Sequence, residues 1–292
     1  MMVLAPAAHA GQPLAPHDLA SAWSAEPTIL LLLATVSVLY VRGARQLARS
    51  ESGRRALPRW RVTCFAAAIV ITAGALLSPL DALSETLFGA HMLQHLLLTL
   101  AVPPLLVLAR PVLVVGMALG RSVRRSVTGL RAAVVSSPAG ATGWAAAAVA
   151  AHTLTMWMWH LPVLYESAVQ QPLLHVVEHT SMVAGAVPFW WLVTDARGRH
   201  ANAAGVLAVF AGALQSAWLA GLLTFSGVAW YGVHAAGALA WGLTPLSDQQ
   251  VAGGLMWFPG GLVYIIGGAA VFWRWLRRDQ HVAVRRPLHD RI

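Results

Sequence analysis

Residues 88–109 read FGAHMLQHLLLTLAVPPLLVLA, 22 consecutive positions without an arginine, aspartate or glutamate, followed at once by Arg110. A bilayer core is crossed by about 20 apolar residues in one helix, so this stretch reads as a membrane span. Pro103 and Pro104 remove two backbone donors inside it and predict a kink. Six more stretches of the same character lie at roughly 27–41, 62–78, 139–160, 172–194, 202–224 and 252–273. Together they predict an all-α, polytopic transmembrane helical bundle of about seven spans. The first is short, and reaches full length with Arg42 and Arg45 snorkelling at its end. Composition agrees: 58% of the residues are hydrophobic, 11% are charged, and mean hydropathy is +0.63. Soluble domains carry about 25% charged residues.

All 20 basic residues are arginine, which excludes a retinal-type Schiff base and a phosphate-loop lysine. Seven arginines fall between positions 42 and 61 and five between 110 and 131. Arg197 and Arg199 follow the fifth span, and six lie from Arg274 onward. The N-terminal tail and the connections near 79–90, 161–171 and 225–251 have none. By the positive-inside rule this alternation places the N-terminus outside and the C-terminus in the cytoplasm, as expected of a bacterial inner (cytoplasmic) membrane protein. The 110–137 stretch reads as an interfacial, arginine-bearing connection. The net charge of +9 then forms a cytoplasmic collar facing anionic lipids, not a nucleic-acid surface. The chain divides into an exported tail (1–26), a seven-helix domain (27–276) and a basic cytoplasmic tail (277–292). Ala-His-Ala at positions 8–10 resembles a signal cleavage site, but no basic region or long apolar run precedes it. One cysteine, Cys64, excludes an internal disulfide and any Cys-x-x-Cys motif.

Ionisable residues in membrane spans are costly and call for a function. Here they gather at the predicted outer ends of the helices. His91 and His95 open the third span. His175, Glu178 and His179 open the fifth, and His160 ends the fourth, with His152 about 12 Å deeper along the same helix. Asp81, Glu85, His234, Asp248 and Met256 border the same face. Residues four apart share a helix face, so the two histidine pairs make two imidazole edges at matching depth. Glu178 stands beside the second edge, placed to ligate a metal or to hold an imidazole tautomer. Imidazole suits copper, zinc and iron, and a thioether from Met92, Met182 or Met256 favours Cu(I). The expected metal residues are therefore His91, His95, His160, His175, Glu178 and His179, with Met256, Asp81 and Asp248. A glycine stripe at 253–254, 260–261 and 267–268 predicts close helix packing, and Pro259 predicts a bend.

Other readings of these residues stay open. His175-Val-Val-Glu178-His179 fits a His-x-x-Glu-His protease pattern, with Asp248 as its acidic ligand. The histidines could hold haem, or line a proton or small-solute channel. Against these stands a resemblance. Ser78-Pro-Leu-Asp81, Ala90-His-Met-Leu-Gln-His-Leu-Leu-Leu98 and Pro103-Pro-Leu-Leu106 resemble the CtaG family of cytochrome c oxidase assembly factors. So do Trp159-His-Leu-Pro162 with Tyr165, His175 to His179, Asp248-Gln-Gln250 and Gly254-Leu-Met-Trp257. The resemblance runs from about 76 to 265. It implies a non-enzymatic factor for assembly of haem-copper oxidase, with a role in forming its copper centre. Its partners would be an oxidase subunit and a periplasmic copper donor. The positions it carries over are Asp81, His91, His95, His160, His175, Glu178, His179, Asp248, Gln249 and Met256.

The arginine partition makes a topological prediction. Reporter fusions after residues 85, 165 and 240 should read as exported, and fusions after 50, 125, 198 and 285 as cytoplasmic. One inversion breaks the seven-span reading.

Overall fold

The computed structural model of the chain describes residues 13–120, 138–194 and 199–284. The Ala-His-Ala near the start, the arginines at 121, 124, 125, 131 and 197, and the basic tail from 285 onward lie outside the described residues. Among those described there is no strand. The helices are α1 (Pro27–Ala48), α2 (Glu51–Ala56), α3 (Arg59–Leu77), α4 (Pro79–Thr86), α5 (Phe88–Leu96), α6 (Val102–Ala109) and α7 (Pro111–Leu119). They continue with α8 (Pro138–Trp159), α9 (Pro162–Gln170), α10 (Pro172–Thr194), α11 (Arg199–Phe225), α12 (Ala235–Ala240), α13 (Pro245–Leu255) and α14 (Gly261–Val284). Proline opens α1, α4, α7, α9 and α13. Its fixed φ suits a first helical turn, where an N–H has no intrahelical partner to lose.

Among the described residues, five stretches are long and apolar enough to cross a membrane: Pro27–Ala48, Arg59–Leu77, Phe88–Ala109, Ala203–Phe225 and Pro245–Arg277. α8 and α10 are as long, but His, Thr, Glu and Trp lower their hydropathy. They pack against each other and against α11. The outward faces are apolar, with Leu31, Val70 and Ile265 each about 70% exposed. Water would penalise such faces and lipid would not. The chain is a helical membrane bundle.

The prolines produce a specific distortion. Between α5 and α6 the helix passes through a π turn, Leu97–Ala101, just ahead of Pro103 and Pro104. Pro103 has no N–H for the Thr99 carbonyl, and the Trp190 indole Nε1 donates to that oxygen instead, at 3.0 Å. A second π turn, Met256–Gly260, contains Pro259 and joins α13 to α14. In lipid every freed carbonyl needs such a substitute donor.

The stretch expected to be an interfacial connection begins differently. Arg110 adopts a left-handed conformation (φ 53°) and turns the chain back, so that α7 packs along α1. The contact is close enough that a Cβ on Gly43 would lie 1.8 Å from the Val114 carbonyl oxygen. Tyr40 donates to the Ala109 carbonyl at 2.9 Å, and Arg61 to that of Leu108.

Only part of the glycine stripe meets a neighbour. A Cβ on Gly253 would sit 2.3 Å from Thr224 Oγ1 and 2.8 Å from its backbone nitrogen, on α11. Gly260 meets Leu96 at 3.3 Å, Gly267 meets Trp190 at 3.0 Å and Gly268 meets Val209 at 3.2 Å. Gly254 and Gly261 face open space. Gly253→Ala should therefore push α13 off the α11 backbone and cost about 1–3 kcal/mol. Gly254→Ala, one residue away, should be neutral or gain up to about 1 kcal/mol from helix propensity. Recovery of folded protein in mild detergent, read by size-exclusion chromatography, checks this; equal recovery of the two variants contradicts the packing.

Candidate metal centre

The site begins with the way α5 is started. Asp248, in the first turn of α13, accepts hydrogen bonds from the backbone N–H groups of Phe88 and Gly89 at 2.8 and 2.9 Å. A carboxylate at a helix N-terminus satisfies orphan donors and the helix dipole together. The first turns of α5 then carry His91 and His95 into the bundle, 0% and 4% exposed. α10 starts at Pro172 and brings His175, Glu178 and His179 to the same place.

Glu178 is 0% exposed and lies between the two imidazole edges. Its Oε2 is 3.8 Å from His91 Nε2 and its Oε1 is 3.7 Å from His95 Nε2. These are too long for hydrogen bonds. The His91 ring centroid is 4.3 Å from that of His95, 5.4 Å from His175 and 6.0 Å from His179, and the His95 and His179 rings are 5.1 Å apart. One ligand atom each from His91, His175, Glu178 and His179 falls within 4.8 Å of all the others.

What sets this cluster apart is what its atoms lack. Both nitrogens of His91 and of His95, Nε2 of His175 and of His179, and both oxygens of Glu178 are buried without a hydrogen-bond partner. Each such atom costs about 1–3 kcal/mol, and native structures hold only a few of them per hundred residues. One cation at the centre of the group would engage several of these lone pairs at once. The separations suit it. Donors about 2.0–2.2 Å from a tetrahedral ion lie about 3.3–3.6 Å from one another, and side-chain shifts would close the separations here, which are within 4.8 Å. Nitrogen and oxygen donors of this kind take copper, zinc or iron.

The remaining expected residues take other places. His160 and Met256 lie beside the cluster, walling a small cavity that His95 also reaches. Asp81 is outside the group. Gln94 Nε2 donates to its Oδ1 at 2.9 Å and to the Ala75 carbonyl at 2.8 Å, which ties the end of α3 and α4 to α5. Burial raises the Asp81 carboxyl to about 6, against the opposing pull of the Gln94 bond. Asp248 has both oxygens committed to α5 and does not join the cluster, so it supplies no acidic ligand to the His-x-x-Glu-His pattern. Gln249 likewise serves the backbone, accepting from Trp230 N at 2.7 Å and donating to the Leu223 and Val228 carbonyls.

His234 stands closer to the cluster than its loop position announces. Its ring is 6.2 Å from that of His91, and its Nε2 is 2.7 Å from the Tyr165 hydroxyl. Burial and the like charge of His91 push it down to about 3, so it stays a neutral imidazole. No helical spacing links it to the pairs; the arginine-free 225–251 connection was the signal that put it on the same face.

The sequence model of the family described as "Cytochrome c oxidase caa3 assembly factor (Caa3_CtaG)" matches residues 38–278. The chain belongs to this family. No curated protein and no solved structure gives a match. The Caa3_CtaG match reaches well beyond the motif-bearing segment at 76–265, into α1 and through most of α14. It thus covers every element that holds the cluster, and membership makes a cytochrome c oxidase the partner the family serves.

Proposed function

We propose that this assembly factor binds copper transiently, as Cu(I), at the His91/His95/His175/Glu178/His179 cluster and passes it to an oxidase subunit. The observation that carries the reading is the buried Glu178 carboxylate among imidazoles whose ligand atoms have no other partner. Four imidazoles and a carboxylate exceed a tetrahedral set, so copper can move among them by ligand exchange and need not be locked in as structure. His175 and His179 are only partly buried, which leaves a side for a donor or a client to approach. The arginine pattern supports seven spans with this cluster on the outer face of the inner membrane, where a periplasmic donor would load it and the basic collar would hold anionic lipids.

Replacing either histidine pair by alanine should remove most of the copper held through nitrogen and oxygen, measured by X-ray absorption on the purified chain. Replacing both pairs should add little, because ligands of one ion are strongly non-additive. Glu178→Gln should weaken that binding by about 10–100-fold. Oxidase activity in host membranes should fall in all of them while the level of the chain holds. Additive losses would mean two independent sites. Unchanged nitrogen- and oxygen-bound copper in the quadruple variant would overturn the proposal.

A further inference from the structure

Beside the imidazole and carboxylate cluster, starting from Met92 between the two α5 histidines, lies a second group of side chains rich in thioether. Four of the chain's eight methionines, Met92, Met156, Met182 and Met256, wall one cavity of about 20 Å³, together with His95 and His160. That volume admits one water-sized occupant. Buried methionines usually fill gaps in a core, and methionine packing alone would need no histidine. His160 is what changes the reading.

Its Nδ1 lies 2.6 Å from the Met156 carbonyl oxygen. A carbonyl only accepts, so Nδ1 carries the proton and Nε2 of the neutral ring is a bare lone pair. That lone pair faces Met92 Sδ at 3.3 Å, and a thioether sulfur has no proton to offer. Two acceptors thus meet in a nearly dry place, His160 being 5% exposed and Met92 1%. At 3.3 Å the two atoms are in ordinary contact, and a cation beside them would engage both lone pairs at once. A second proton would make a buried imidazolium, and no carboxylate lines the cavity to pair with it. A soft cation satisfies both atoms, since thioether with imidazole selects Cu(I).

Two further features bear on the same spot. Both π turns border this cavity, through Thr99 and Leu100 on one side and Met256 on the other. Such turns recur at functional sites, and each here is tied to a proline that costs the helix a backbone bond. Met156 is set apart from the other thioethers, because Gln215 Nε2 donates to its sulfur at 3.6 Å.

We propose that this cavity is a second Cu(I) site, formed by His160 Nε2 and Met92 Sδ with Met256 as a further thioether, distinct from the histidine and glutamate cluster. The inference rests on the copper reading of that cluster for its choice of metal. His95 belongs to both places, lining the cavity and lying 3.7 Å from Glu178. Copper passes between the sites by exchange of neutral ligands at His95. The oxidation state stays Cu(I), and His160 keeps its Nδ1 proton on the Met156 carbonyl throughout.

The test is an anaerobic titration of the purified chain with Cu(I) under ascorbate, against a chromogenic Cu(I) chelator, with X-ray absorption on the loaded protein. The wild type should bind about two copper ions, with sulfur as well as nitrogen scatterers. Met92→Leu and Met256→Leu nearly conserve volume; each should remove the sulfur signal and one copper while nitrogen- and oxygen-bound copper stays. His175→Ala with His179→Ala should do the reverse and keep the sulfur-bound copper. Wild-type copper without sulfur scatterers overturns this site and leaves the cluster standing. Loss of all copper in both leucine variants overturns its independence. Sulfur-bound copper alone in the wild type supports this site and removes the cluster's role, and no copper at all removes both.

Discussion

Two hydrogen bonds join the Asp248 carboxylate to the backbone of Phe88 and Gly89, across 160 residues of sequence, and much of the molecule's chemistry is positioned by them. They set where α5 begins and at what height it stands against α13. His91 lies less than one turn beyond that start and His95 one turn further. The Phe88 side chain packs edge-on against Tyr165 and tilted against Tyr231, at centroid distances of 5.2 and 4.4 Å. Tyr165 in turn touches His234, and Tyr231 donates to the His160 carbonyl at 2.8 Å. One cap therefore orders an aromatic layer, and the layer orders the imidazoles behind it.

A bundle in lipid must satisfy its backbone internally, and at Pro103 this one does so through the Trp190 indole, which donates to the freed Thr99 carbonyl. The contrast with the histidine and glutamate cluster is then informative. Backbone groups far from that cluster are capped or replaced with care, yet eight ligand-type atoms in one place have no partner within the chain. Left without protein, water or metal partners, these atoms would carry a penalty comparable with ordinary domain stability of about 5–15 kcal/mol. The cluster residues are among the motifs that mark the cytochrome c oxidase assembly family, so the family match and the donor set are two views of the same residues.

The sequence was most informative where its signal is periodic. The stretches read at 88–109 and 172–194 coincide with helical segments to the residue, and 139–160 with one displaced by a single position. The pairs His91/His95 and His175/His179 were legible because i and i+4 must share a face. What stayed hidden depends on contacts between distant segments. Nothing local tells that Asp248 turns to α5 and Asp81 to Gln94, away from the histidines. Nor does spacing reveal that Arg110 reverses the chain and sends α7 back along α1. The glycine stripe was visible as a repeat, but that Gly253, Gly260, Gly267 and Gly268 meet neighbours while Gly254 and Gly261 do not follows from packing alone.

The central claim is that the imidazoles around Glu178 are arranged for a metal ion. Anomalous diffraction at the copper edge, from crystals of the copper-loaded protein, tests it most directly. The account predicts a peak within coordinating distance, about 2.0–2.2 Å, of the Glu178 carboxylate and at least two of His91, His95, His175 and His179. A cluster with no anomalous peak, its nitrogens and oxygens instead bonded to ordered water or to one another, would contradict it.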